Sequence, residues 1–183
     1  MRNAIGAVVL GLALLSGCGS DDEPESTPAP AGTPTAPAAT TSAATSPADV
    51  PHPCDTATKA DVAGLVGGRV TVTRVPETGT GPQMTCTFVP ADLDRPTVTL
   101  QTTVDGGTLD DYVALMTATG ATASDVDVPG AARAALLVDD RAGRPGATAV
   151  TEVDGTIRAA LVIGADGQGL DRVATQALAL MLD

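Results

Sequence analysis

ATAVTEVDGTIRAALVI, the stretch Ala147–Ile163, decides the fold. Two runs rich in apolar and β-branched residues, Ala147–Val153 and Thr156–Ile163, flank Asp154-Gly155. That dipeptide supplies the left-handed backbone of a tight two-residue hairpin, so the runs form antiparallel strands. Arg133–Val138 reads as another strand just upstream. Further back, Val70 and Val72 alternate with Thr71 and Thr73, and Met84, Cys86 and Phe88 with Thr85 and Thr87. Val98, Leu100, Thr102 and Val104 keep the same two-residue period, so three strands precede the middle of the domain.

Helices punctuate these strands. Thr58-Lys59-Ala60-Asp61 is a capping-box start, followed by Val62, Leu65 and Val66 on one face and Gly67-Gly68 as a stop. Thr108-Leu109-Asp110-Asp111 repeats the signature, with Tyr112, Val113 and Met116 on one side and Gly120 beyond the end. Leu170, Val173, Ala174, Ala177, Leu178, Met181 and Leu182 fall at helical spacing, with Asp166 as the expected cap. The expectation is an α+β fold, an antiparallel β-sheet with about three packed α-helices and one disulfide, forming a single domain over residues 54–183. The order of elements hints at two related halves.

The other end of the chain has a different character. Arg2, an apolar run from Ala4 to Leu15 and the junction Leu15-Ser16-Gly17-Cys18 read as a signal peptide over residues 1–17. The apolar run is too short for a spanning helix, which needs about 20 residues. The junction looks like a bacterial lipobox, which implies thioether diacylglycerol on Cys18, cleavage before it and often palmitate or a similar acyl group on the new amino terminus. The alternative is an ordinary signal peptide with a coincidental cysteine. Two buried chains anchor firmly, whereas one is marginal. The expected location is therefore the extracytoplasmic face of the cell membrane.

Residues 19–53 hold 8 Pro, 8 Ala, 6 Thr and 4 Ser. With Val50 as its one larger aliphatic, this segment cannot bury enough apolar surface to offset its ordering entropy, and it is expected to be a disordered tether. His52, the chain's sole histidine, reads as a solvated residue of that tether.

Charge and composition exclude several partners. The whole chain carries 22 acidic and 10 basic residues. Lys59 is its only lysine, and nucleic acid, which requires clustered cations, is not an expected partner. Nor is there a polybasic patch for anionic lipid headgroups, so the lipid itself does the anchoring.

Cys54 and Cys86 both lie beyond the export signal. In an oxidising compartment such a pair usually bridges, closing a loop worth roughly 3–4 kcal/mol. A buried free thiol or a metal site is the alternative, although His52 alone cannot complete a four-ligand set.

Cys54-Asp55, Thr58-Lys59-Ala60-Asp61-Val62-Ala63, Gly67 and Cys86-Thr87-Phe88 together resemble an uncharacterised family of actinobacterial lipoproteins of unknown function. That family's pattern runs Cys, a Leu pair, Thr-Pro-Ala-Glu-Val-Ala, a Leu-Gly step and a later Cys-x-Trp. Here Thr56-Ala57 stands for the Leu pair, Lys59 for Pro and Phe88 for Trp. The resemblance covers residues 54–88. It implies a secreted lipoprotein domain with a paired-cysteine framework and no catalytic residues.

The domain's residue types narrow its chemistry. Downstream of Cys54 there is no His and one Ser, Ser124, so no Ser-His-Asp or Cys-His set can be assembled. Catalytic residues, cofactors and metals are accordingly expected to be none. Four acid pairs, Asp92/Asp94, Asp110/Asp111, Asp125/Asp127 and Asp139/Asp140, would suit calcium or glycoside cleavage in principle. None matches the Asp-x-Asp-x-Asp-Gly loop, and solvated or capping roles are expected. Gly164-Ala165-Asp166-Gly167-Gln168-Gly169 lacks the lysine of a phosphate loop and reads as a strand-to-helix turn. The expected function is a membrane-anchored, non-enzymatic binding or interaction module for an envelope protein or small ligand. The competing expectation is a carboxylate-dependent hydrolase of cell-wall polysaccharide.

Overall fold

The computed structural model describes residues 50–75, 83–141 and 143–183. Alternating β-branched and apolar residues build seven strands: β1 (Val70–Val75), β2 (Gln83–Pro90), β3 (Thr97–Val104), β4 (Thr122–Val126), β5 (Ala134–Arg141), β6 (Arg144–Val153) and β7 (Thr156–Ile163). Four helices accompany them: α1 (Pro53–Thr56), α2 (Lys59–Val66), α3 (Leu109–Ala118) and α4 (Leu170–Ala179). The sheet order is β1-β2-β3-β7-β6-β5-β4, and every neighbouring pair is antiparallel. Two meanders, β1-β2-β3 and β4-β5-β6-β7, thus meet along the β3–β7 seam.

The hairpin expected at Asp154-Gly155 is present. Both residues have positive φ, 51° and 74°, and Val153 faces Thr156 across the turn. Both capping boxes also form. Thr58 and Thr108 each accept a hydrogen bond from the backbone N–H three residues on, and Asp61 and Asp111 accept back from the cap N–H groups.

One face of the sheet carries the larger core. Cys86, Phe88, Val98, Leu100, Ala147, Ala149, Ala160 and Val162 bury against α2 and α4, whose Val62, Val66, Val173, Ala174, Ala177 and Leu178 complete the cluster. Alanines on both sides let α4 lie close to β6 and β7. Across the sheet, α3 covers a smaller cluster of Leu109, Ala135, Leu137, Val150, Ile157 and Ala159. The rest of that face, over β1–β3, is a threonine surface on which Thr87 and Thr99 stand opposite each other with hydroxyls 3.4 Å apart.

Charged side chains from distant strands and loops complete the helix ends. Arg95 donates to the Val66 carbonyl at the C-terminus of α2 at 2.8 Å. Glu152 accepts from the Leu109 N–H at the start of α3 at 3.0 Å, and Arg158 donates to the Met181 carbonyl just past α4. Each charge has the sign that the local helix dipole favours.

Four features differ from the sequence reading. The edge strand β4 is absent from that reading because its Thr-Ala-Ser-Asp-Val side chains are mostly exposed, leaving no apolar alternation; backbone pairing to β5 holds it. The single-turn α1 is too short to show a period. The cap of α4 is Gly169, in the left-handed conformation with φ 69°, rather than Asp166, and it makes no side-chain cap bond. His52 is half-buried rather than solvated, and its Nδ1 accepts from the Cys54 N–H at 3.1 Å to cap α1.

Ala174, on the sheet-facing side of α4, is fully buried. Replacing it with Leu is expected to overpack the contact and destabilise the fold by about 1–3 kcal/mol, read as a lower urea midpoint at unchanged slope.

Candidate functional site

Residues 1–17, Cys18 and the tether as far as residue 49 lie outside the described residues. Cys54 and Cys86 are joined, with an S–S distance of 2.05 Å and Cα atoms 5.2 Å apart. The bridge ties α1 to the buried face of β2, where Cys86 is fully enclosed. A thiolate metal site at this pair is therefore ruled out in the folded, oxidised chain.

The acid pairs occupy separate places. Asp92 accepts from the Asp94 N–H at 3.2 Å and lies 3.6 Å from Arg95 Nε, organising the loop that precedes β3. Asp110 pairs with both terminal nitrogens of Arg133, at 2.7 and 3.1 Å, while Asp111 closes the α3 capping box. Asp125 and Asp127 are exposed near the β4 edge. Asp139 is half-buried on β5, directly opposite Gly146, where an added Cβ would come within 2.8 Å of its Oδ1. Among the described residues no three His, Cys, Asp or Glu side chains gather in a way that would hold a metal ion.

Electrostatics agrees with these capping roles. The Arg133 hydrogen bond, reinforced by its charge, holds the Asp110 carboxyl below its ordinary value; the Thr108 side chain and then its backbone do the same for Asp111. Arg133 is raised in turn, chiefly by its hydrogen bond to Asp110.

A concavity among the described residues lies elsewhere. A groove of about 430 Å³ opens between the β5–β6 ladder and the start of α4. Leu136, Val138, Pro145 and Ala147 form one side, and Gly167, Gly169, Leu170 and Asp171 the other. Leu136, Val138 and Ala147 share one sheet face because Leu136 pairs with Ala149 and Val138 with Ala147. Val138 remains 46% exposed there, a large aliphatic left open to solvent. The opposing wall is the strand-to-helix turn that the glycine-rich loop was expected to form. Gly164 permits the close return of the chain, since a Cβ there would come within 2.8 Å of Leu170 Cδ2. Asp171 contributes the one carboxylate of the lining, and the apolar body of the groove outweighs it.

Of these groove residues only Gly167 and Gly169 stand out in the sequence, as part of the glycine-rich turn, because the lining comes from three separated segments. The one available signal is the pairing of Pro145-Gly146 with the glycine-rich turn, both of which leave room beside the sheet. Among the described residues no helix is long and apolar enough to cross a membrane. No family model, no curated protein and no solved structure matches the chain.

Acids lowered on folding contribute stability that is present above their ordinary value of 3.8 and is lost as pH falls through the folded value. Thr108→Ala is accordingly expected to cost about 1 kcal/mol at neutral pH through loss of the cap. It should also flatten the fall of the melting temperature below pH 4, as followed by circular dichroism; an unchanged acid profile would refute the role given to Asp111.

Proposed function

We propose that the chain is a lipid-anchored extracytoplasmic protein whose domain is a non-enzymatic binding module. The groove beside α4 receives a small, predominantly apolar ligand carrying a hydrogen-bond donor for Asp171. The observation that carries this reading is the groove itself, whose volume of about 430 Å³ and aliphatic walls lie within the range of small-molecule sites. Anchoring is supported by the lipobox at Leu15-Ser16-Gly17-Cys18 and by the resemblance of residues 54–88 to secreted lipoproteins. The alternative, a carboxylate-dependent hydrolase of wall polysaccharide, gains no support from Asp92, Asp110 and Asp111, which hold a loop and a helix start in place.

Gly167 allows a direct test. Its φ is not left-handed, and an added Cβ would meet only Pro145, at an ordinary 3.5 Å. Gly167→Phe should therefore fill the groove with little loss of stability. Titrating full-length protein with the neutral fluorophore N-phenylnaphthylamine is expected to give saturable enhancement that Gly167→Phe lowers at least tenfold in affinity. Equal binding by both forms would overturn the groove assignment. Separately, labelled palmitate should enter the wild-type chain in exporting cells and not the Cys18→Ala form.

A further inference from the structure

The two edges of the sheet are guarded differently. β4 is short and carries Asp125, with Asp127 just beyond it, both exposed. Charges of this kind keep an edge from pairing with another strand. β1 carries no acid of its own, and its flanking guards in sequence are Arg69 before it and Pro76 after it. It reads Val-Thr-Val-Thr-Arg-Val, without Lys, Pro or Gly, and its six residues pair with β2 in unbroken register. The single charge on it, Arg74, is neutralised by Asp55 through two hydrogen bonds of 3.0 and 3.2 Å.

Exposed aliphatics lie on both faces of this same edge, Val72 on the face of Phe88 and Val75 and Val89 on the other. Of the six exposed large hydrophobics among the described residues, Val72 and Val75 lie on β1 and Val89 sits opposite Thr71 on β2. Val72 is 37% exposed and Val75 36%. An acidic chain opposes the approach of its own copy over most of its surface, but here the local charge is balanced.

We infer that the β1 edge pairs with the β1 edge of a second copy of this chain, joining the two sheets antiparallel about a twofold axis normal to them. Such an axis preserves the two faces, so residues brought opposite must share a face. Of the registers that satisfy this, the two centred on Val72 and Thr73 lie nearest the middle of the strand and pair the most residues. The one centred on Thr73 would crowd the two Arg74 side chains on the same face. The other places Val72 against its symmetry mate and Thr71 against Thr73 of the partner copy, and sets the two arginines farther apart. That register also covers the exposed valine with apolar surface. A six-residue edge buries less than the roughly 800 Å² per partner of a standard interface. The association is therefore weak and reversible. This pairing goes beyond the ligand-binding reading and does not depend on it.

Directly opposed antiparallel residues have Cα atoms about 4.5–5.5 Å apart, within reach of a disulfide. Full-length protein purified in detergent and carrying Val72→Cys, Thr73→Cys or Val138→Cys is oxidised mildly and followed on non-reducing gels. Wild type sets the background from Cys18. The expected result is a covalent dimer from Val72→Cys at least tenfold faster than from Val138→Cys, an exposed position away from the edge, and faster than from Thr73→Cys. Sedimentation at high concentration should show a dimer that Val72→Lys reduces to monomer while the melting temperature is kept. Cross-linking of Val72→Cys no faster than Val138→Cys, or a preference for Thr73→Cys, overturns the proposal. So does an unchanged dimer in Val72→Lys.

Discussion

The β3–β7 seam holds the architecture together. Eight residue pairs, from Thr97–Ile163 to Val104–Thr156, join strands that belong to different meanders. Neither meander encloses the larger core by itself, because that cluster draws on β2 and β3 from one and on β6 and β7 from the other. α4 lies along this junction, contacting β3, β6 and β7, and so covers apolar surface from both sides of it. The alanines at Ala149, Ala160, Ala174 and Ala177 make that coverage close without any large aromatic contribution beyond Phe88. With so few rings in the chain, the stability of the core rests on tight packing of small side chains rather than on the area of large ones.

A second regularity concerns the charges. Of the acids that looked available for chemistry, Asp110 and Asp111 serve the start of α3 and Asp92 shapes a loop. Asp61 and Asp111 close capping boxes, Glu152 reaches α3 from β6, and Arg95 and Arg158 attend the opposite ends of α2 and α4. The α2 and α4 sequences place no basic residue in their own last turns, so the compensating cations come from distant parts of the chain. This arrangement ties helix placement to strand register. A slip in β7 would carry Arg158 to the other face and leave the end of α4 without its donor.

Much of this was legible from periodicity and turn chemistry. The Asp154-Gly155 hairpin, both threonine caps and the alternation in β2 and β3 express local physics that survives in the folded chain. Features without a local signature escaped. β4 has no apolar face, α1 is a single turn, and α4 begins at Gly169 because the turn before it needs left-handed backbone more than a side-chain cap. His52 looked like part of a polar linker, yet its ring caps the single turn of α1 that carries Cys54 into the disulfide. The groove was invisible for a different reason. Its walls meet only when β5, β6 and the α4 turn are assembled in three dimensions.

The position of the Cys54–Cys86 bridge has a mechanical consequence. Any tension applied to the chain on the amino-terminal side of Cys54 passes through the sulfur atoms into β2, an interior strand flanked by β1 and β3. Residues 55–85 lie outside that load path, so α2 and β1 are spared from being peeled away one contact at a time. The force must instead act on a strand held by its neighbours on both sides, which makes the second strand the point where the protein bears weight.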